Sequence, residues 1–234
     1  MTMEIVGYLE RPELRESSRL YEVWPQFLLH DRTINVNFDK LFDDAPEFQF
    51  YALEGDELVA QANALPVAWD GVPQPGGVDW AFTDGLSGTA TTLCAIQVMI
   101  DPQHRGRALS SVMLKHMCSL AREHGLNCLI APVRPTLKQR YALIPMERFA
   151  AWRRADGSLL DPWLRTHERL GAEVLAVAPE SMRIEAPVAD WEEWTGMSFP
   201  EDGEYIVDGG LIPVRFENGV GLYVEPNVWM RHPV

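Results

Sequence analysis

The fold is indicated by residues 91–133, which read TTLCAIQVMIDPQHRGRALSSVMLKHMCSLAREHGLNCLIAPV. Residues 91–100 are nearly all apolar and β-prone, as is typical of a central strand that is buried on both faces. Residues 126–133 form a second apolar strand pattern. Between them, apolar residues recur with the period of an α-helix, and Gly125 stands where a C-terminal cap belongs. The sequence therefore predicts a strand–helix–strand crossover with parallel or near-parallel strands.

The turn between the first strand and the helix reads Gln103-His104-Arg105-Gly106-Arg107-Ala108. Backbone N–H groups at a helix N-terminus converge on a ligand, and the helix dipole favours an anion there. Gly106 lacks a Cβ, so a ligand oxygen can approach closely, and Arg105 and Arg107 add positive charge. The spacing matches neither G-x-x-x-x-G-K-[ST] nor G-x-G-x-x-G, so a P-loop NTPase or a dinucleotide fold is not supported. The pattern indicates a phosphate-binding turn, with a purely structural glycine turn as the alternative.

The residues on either side extend this unit into one α/β domain that spans residues 1–234. Within it, residues 10–30 are predicted to be helical with a kink at Pro25, and Asn218-Gly219 predicts a hairpin turn between two late strands. We expect four parts: a helical N-terminal part over 1–47, a core over about 48–178, an insertion in that core over about 134–160, and a β extension over 179–234.

The chain is acidic overall but contains one basic segment. Lys and Arg number 20 against 34 Asp and Glu, a formal charge of −14, whereas residues 101–154 hold ten bases and three acids, a net charge of +7. The overall charge argues against general nucleic-acid binding, and the basic segment favours one local anionic ligand or is a solvated helix face. A composition of 47% hydrophobic residues excludes disorder, and no apolar run approaches the length of a membrane span. With three cysteines, no CxxC pair and no secretory apolar core, we expect a soluble cytoplasmic protein without a membrane partner.

Two motifs resemble those of the GNAT superfamily of acyl-CoA-dependent N-acyltransferases. Gln103, Gly106 and Ala108 match its Q/R-x-x-G-x-G/A signature after the fourth strand, and residues 165–172, RTHERLGA, look like the segment that ends its last core helix. The resemblance covers about residues 48–178. It implies a mixed, mostly antiparallel twisted sheet with a central, splayed parallel strand pair and flanking helices.

The resemblance also implies where an acyl-CoA cosubstrate binds. Backbone groups of Val98 and Ile100 would pair with the pantetheine arm like an added strand. Pro132 in the following strand suits the splayed strand pair, although a bulge or edge proline is an equally good interpretation. The diphosphate would be held by Gln103 and by the amides of the residues that follow it: Arg105, Gly106, Arg107, Ala108 and Leu109.

The resemblance assigns the proton donor for the departing thiolate to a position four residues before the closing glycine. This position is His167, where the family commonly has tyrosine, and a histidine near its ordinary pKa can be protonated at physiological pH. Tyr141 is the competing candidate, and Glu147 could accept the ammonium proton or simply pair with an arginine. The His and Cys residues between 116 and 128 do not match a zinc-site spacing, so we expect no metal.

These observations predict an N-acyltransferase that moves an acyl group, most simply acetyl, from acyl-CoA to the primary amine of a small molecule by direct attack in a ternary complex. Two alternatives stay open: a non-catalytic acyl-CoA-binding or sensor module with the same fold, and a thioester hydrolase. The sequence also leaves open a homodimer.

Overall fold

A computed structural model describes residues 3–234, whose strands form one nine-stranded mixed sheet. The strands follow the order β1-β2-β3-β4-β5-β9-β8-β7, and β6 pairs with the other edge of β9. Their bounds are β1 Met3–Gly7, β2 Gln49–Glu54, β3 Glu57–Val67, β4 Thr92–Ile100, β5 Cys128–Val133, β6 Glu173–Pro187, β7 Gly203–Tyr205, β8 Val214–Glu217 and β9 Val220–Pro233.

Helices flank this sheet, and the longest of them joins the two central strands. Their bounds are α1 Glu13–Ser17, α2 Arg32–Asn37, α3 Lys40–Asp43, α4 Gly77–Phe82, α5 Leu109–Glu123, α6 Met146–Ala150, α7 Pro162–Arg169 and α8 Val188–Thr195. The buried face of α5 carries Leu109, Met113, Leu114, Met117 and Ala121, at helical spacing. Full burial of a large apolar side chain contributes roughly 1.5–3 kcal/mol, so this face fixes α5 against β4 and β5. Within residues 3–234, no helix combines the length and apolarity that crossing a bilayer requires.

The parallel strands β4 and β5 pair over a short distance and then separate. Their register joins Leu93 to Leu129 and Cys94 to Ile130, and no later pair follows although both strands continue. A bulge in β4 lies at the same place, because Ala64 of β3 pairs with Ala95 while Asn63 pairs with Gln97. Bulges bend a strand and increase its twist. The predicted splayed parallel pair in a mostly antiparallel sheet is thus confirmed.

The N-terminal part is not purely helical, contrary to the prediction for residues 1–47. Met3–Gly7 forms β1 and pairs with β2. The single helix predicted over 10–30 is wrong, since α1 is followed by two short 3-10 turns at Leu20–Val23 and Gln26–His30. Pro25 has an extended backbone, with φ −52° and ψ 135°, and this separates the two turns.

The boundary predicted between the core and the β extension is also incorrect. The Asn218-Gly219 turn does join β8 to β9, but β9 continues to Pro233 and pairs with β5 in the middle of the sheet. The core therefore includes residues far beyond 178. Residues 225–230 of β9 are continuously buried, as in a central strand, yet a sequence pattern does not reveal which strand becomes its neighbour.

Candidate active site

A large cleft opens where β4 and β5 separate. Its volume is about 1180 Å³, and residues 95–100 of β4 and 131–133 of β5 form two of its walls. Beyond Cys94, no strand among the described residues pairs with the edge of β4 that faces β5. The cleft thus presents unpaired strand backbone together with apolar side chains, which suits a long ligand with amide groups.

The turn between β4 and α5 leads from this cleft to a helix N-terminus. Asp101 fixes the start of the turn, since its Oδ1 accepts a hydrogen bond from the Gln103 amide at 2.7 Å. Gly106 and Ala108 both have left-handed backbones, with φ of 79° and 58°. Among residues 3–234, none accepts a hydrogen bond from the amides of residues 105–109. These free amides, at the positive end of the α5 dipole, can hold an anion such as a diphosphate.

The predicted cosubstrate residues divide into two groups. Val98, Ile100 and Arg105 line the cleft, and so does Ser110 in the first turn of α5. The others lie beside these lining residues, on the turn (Gln103, Gly106, Arg107 and Ala108) and at the first position of α5 (Leu109). Arg107 forms an ion pair with Glu54, with Nη1 3.1 Å from Oε2, so its charge is already balanced. Of the two arginines in the motif, Arg105 is therefore the one whose charge faces the cleft.

His167 lies on α7 and lines the cleft. Asp161 caps this helix, since its Oδ1 accepts hydrogen bonds from the amides of Trp163 and Leu164 at 2.9 and 3.0 Å. His167 itself is 1% exposed, and its Nδ1 lies 2.8 Å from Nε2 of His232. Burial, with a smaller contribution from His232, holds the pKa of His167 well below its ordinary value. His167 is therefore neutral near pH 7, which corrects the expectation of a protonated imidazole.

The other two predicted catalytic residues are not brought to the cleft. Tyr141 is 39% exposed and packs against Trp152 and Phe149, with ring centroids 5.1 and 5.8 Å away. Glu147 is exposed on α6. Neither residue is among those that line the cleft around His167.

A buried polar cluster that the sequence analysis missed lies beyond the end of β5. Arg134 lines the cleft, and its Nε lies 2.9 and 3.0 Å from the two carboxylate oxygens of Glu225, which is fully buried. Tyr223 donates to the same carboxylate at 2.7 Å, and Asn227 donates to it at 3.1 Å. The signal for this cluster was a charged residue within the apolar strand β9. Such a residue is buried only when it is paired.

Loop and aromatic residues also line the cleft near this cluster. Arg134 Nη2 donates to the carbonyl of Gly209 at 2.5 Å, and Asp208 is exposed next to it. Gly209 has φ 79°, and a Cβ there would lie 2.5 Å from Cγ of Pro25, so only glycine fits. Asp208 is the one carboxylate in the cleft lining within residues 3–234, and Trp24 and Trp194 line the same cleft.

A pair of carboxyl groups, Asp31 and Asp79, lies outside the set of residues that line the cleft. Asp31 caps α2 by accepting from the Ile34 amide at 2.9 Å, and it also accepts from the Arg183 amide at 2.9 Å. Desolvation, with the adjacent Asp31 charge, raises the pKa of Asp79 from 3.8 to about 8. At neutral pH, Asp79 is thus the protonated partner of the pair.

The family to which the chain belongs follows from comparison with known proteins. The model of the acetyltransferase (GNAT) family matches residues 11–144, more than half of the chain. The chain therefore belongs to the acetyltransferase (GNAT) family, as its motifs indicated. By class, it is an acyl-CoA-dependent N-acyltransferase, an enzyme that transfers an acyl group to an amine.

Proteins similar to this chain are named for several different activities. The arginine N-acetyltransferase avaD of Aspergillus versicolor is 27% identical over an alignment of 268 positions, which covers 96% of this chain and 91% of that protein. The loading GNATL domain of CurA from Lyngbya majuscula is 16% identical, with a TM-score of 0.65 and coverage of 100% and 98%. The GphF GNAT-like decarboxylase in complex with isobutyryl-CoA is 16% identical, with a TM-score of 0.56 and coverage of 100% and 99%. An agmatine N-acetyltransferase mutant is 13% identical, with a TM-score of 0.51 and full coverage of both chains. The three structures support the fold.

Proposed function

We propose that this protein transfers the acetyl group of acetyl-CoA to a primary amine of a small cationic molecule, by direct attack in a ternary complex. The observation that carries this proposal is the continuity of two features: the free amides at the N-terminus of α5 and the cleft between β4 and β5. Together they match a ligand with a diphosphate at one end, an amide-containing arm in the middle and a reactive group at the other end.

The cosubstrate is proposed to bind along β4. Its diphosphate would accept hydrogen bonds from the amides of residues 105–109, with Arg105 adding a charge-assisted contact. Its arm would pair with the free edge of β4 near Val98 and Ile100. A Cβ built on Gly106 meets no atom within 4 Å, so open space adjoins the amides and leaves room for the diphosphate.

The chemistry needs few groups from the protein. The amine lone pair forms a bond to the thioester carbonyl carbon, the C–S bond breaks with its electron pair going to sulfur, and the proton that nitrogen loses ends on sulfur. The products are an amide and a free thiol. Negative charge develops first on the carbonyl oxygen and then on sulfur, so a hydrogen-bond donor aimed at either atom lowers the barrier.

His167 is proposed to be that donor. It lines the cleft, and its neutral form can donate a hydrogen bond without carrying a charge. Tyr141 and Glu147 are left out of the proposed chemistry because they lie outside the cleft lining.

The acceptor is proposed to be an amine that carries a second positive charge, such as arginine or agmatine. The names of the arginine N-acetyltransferase relative and of the agmatine N-acetyltransferase structure point to this class. Asp208, the carboxylate of the cleft lining, would pair with the distal cation, and the lining residues Trp24 and Trp194 would add attraction between the cation and an aromatic ring. The three free cysteines, Cys94, Cys118 and Cys128, fit a reducing compartment, and we propose that the enzyme acts in the cytoplasm.

The test follows free thiol and acylated product while the protein is incubated with acetyl-CoA and a panel of amines. We expect thiol release that depends on arginine or agmatine, with one acetyl group added per thiol released. Thiol release without any amine would replace the proposal with thioester hydrolysis. Tight binding of acetyl-CoA without release would replace it with an acyl-CoA sensor.

A further inference from the structure

Two histidines from distant parts of the chain meet inside the protein. His167 on α7 and His232 near the end of β9 are each 1% exposed, and 2.8 Å separates Nδ1 of His167 from Nε2 of His232. The outer nitrogens, Nε2 of His167 and Nδ1 of His232, are buried and have no hydrogen-bond partner among residues 3–234. Buried polar atoms are rarely left unpaired, so this pair requires an explanation.

The protonation of the pair is tightly constrained. A contact of 2.8 Å between two ring nitrogens needs a hydrogen between them. Burial lowers the pKa of His232 to about 4, and the pKa of His167 is also well below its ordinary value, so both rings are neutral at pH 7. Two neutral imidazoles have two N–H groups for four nitrogens. One N–H therefore bridges the rings, and the other stands on an outer nitrogen.

Within residues 3–234, no charged group acts on the pair strongly enough to decide between the two arrangements. Glu168, which follows His167 on α7, accepts hydrogen bonds from the Leu159 amide and from Arg153, and Arg231 pairs with Glu173. Across the sheet, His232 is in register with Leu129 of β5, which is apolar. The choice therefore depends on where the outer N–H can find an acceptor.

The position of the cleft determines which outer nitrogen can find an acceptor. His167 lines the cleft, whereas His232 is not among the lining residues. If the outer N–H were on His232 Nδ1, a buried donor would have no acceptor, which costs about 1–3 kcal/mol. Nε2 of His167 is equally buried, but its side chain belongs to the cleft wall, so a ligand bound in the cleft can bring an acceptor to this nitrogen and not to His232 Nδ1. His232 then donates its Nε2–H to His167 Nδ1.

We propose that His232 is a positioning residue, which fixes the tautomer and the ring orientation of His167 so that Nε2–H is presented to the reacting thioester. This inference rests on the proposed function, in which His167 is the donor to the developing negative charge. The pair acts as an uncharged counterpart of the more familiar histidine–carboxylate arrangement, in which the second group orients the first.

The test combines two variants of His232. His232→Phe keeps an aromatic ring but removes the donor, and we expect kcat to fall about 10- to 100-fold while KM for acetyl-CoA changes by less than about 2-fold. His232→Gln keeps an N–H near the position of Nε2, and we expect kcat within about 5-fold of wild type. A purely structural role would be contradicted by this rescue, whereas equal losses in both variants, or no loss in His232→Phe, would overturn the proposal.

A spectroscopic measurement on the wild-type protein tests the tautomer independently of activity. Nitrogen-15 NMR of the histidine rings distinguishes a protonated from an unprotonated ring nitrogen, and in the complex with a non-hydrolysable acetyl-CoA analogue we expect His167 to carry its hydrogen on Nε2. A hydrogen on Nδ1 would overturn the inference even if the enzyme is fully active. If the wild type acetylated no amine, the proposed function would fail, while the tautomer would still be read from this spectrum.

Discussion

Gly106 and Gly125 lie at opposite ends of α5 and form a matched pair for testing the cosubstrate turn. Both have left-handed backbones, with φ of 79° and 70°, and a Cβ built on either meets no atom within 4 Å. Gly106 lies among the free amides before α5, whereas Gly125 lies after its last turn. Replacement by leucine therefore imposes the same kind of backbone strain at both positions, but only one of them is at the proposed diphosphate site.

The expected magnitudes follow from this geometry. A left-handed backbone costs a residue other than glycine about 1–2 kcal/mol, so Gly106→Leu and Gly125→Leu should each lower the free energy of unfolding by about that amount. Only Gly106→Leu places a side chain in the open space beside the amides. Hydrogen bonds to a charged group contribute about 1.5–3 kcal/mol each, so the loss of one or two should weaken coenzyme A binding by about 100-fold.

Two assays separate the effects. Urea unfolding gives the stability of each variant, and isothermal titration calorimetry gives the affinity for coenzyme A. We expect similar stability losses and a weakened affinity in Gly106→Leu alone. An unchanged affinity in Gly106→Leu, or an equal loss of affinity in Gly125→Leu, would refute the assignment of the diphosphate to this turn.

Three further predictions concern the carboxyl groups of Asp79, Glu225 and Asp208. Because folding raises the pKa of Asp79 from 3.8 to about 8, its protonated form stabilises the fold below that pH. Unfolding measured from pH 5 to 9 should therefore show the free energy of unfolding falling by up to about 1.4 kcal/mol per pH unit as the pH rises towards 8 and levelling off above it, and Asp79→Asn should flatten this dependence. Removing one partner of a buried ion pair leaves the other charge buried and uncompensated, which strongly destabilises the protein. Glu225→Ala removes the carboxylate that pairs with Arg134, so urea unfolding should show the free energy of unfolding lowered by about 3 kcal/mol. A loss below about 1 kcal/mol would contradict the argument that this pair is buried. Asp208→Asn should raise KM for arginine or agmatine about 5- to 10-fold in steady-state kinetics, while KM for an uncharged alkylamine stays unchanged; equal effects on both amines would remove Asp208 from the acceptor site.

Local patterns in the sequence were sufficient to predict the centre of the fold. The apolar strands β4 and β5, the amphipathic helix α5 and the turn at Gly106 are each encoded within a few residues, and all form where the pattern predicts. The order of the elements then constrains the crossover, because parallel neighbours need a helical connection. This explains why the strand pair and the motif turn were predictable together.

The remainder depends on contacts between residues far apart in the chain. His167 and His232 are 65 positions apart, and Arg134 and Glu225 are 91 apart, so no local pattern identifies which residue becomes the partner. Burial of His167 also reverses the protonation state expected from its ordinary pKa, and burial is a property of the assembled sheet. The insertion of β9 between β5 and β6 likewise depends on which edges are unpaired after the chain has folded.

The most direct test of the central claim is a crystal structure with a non-hydrolysable acetyl-CoA analogue. We predict the diphosphate against the amides of residues 105–109, the pantetheine arm along β4 and the acyl carbonyl between β4 and β5, within reach of His167. An analogue bound elsewhere on the protein, or a cleft closed by the protein's own side chains in the presence of saturating analogue, would contradict it.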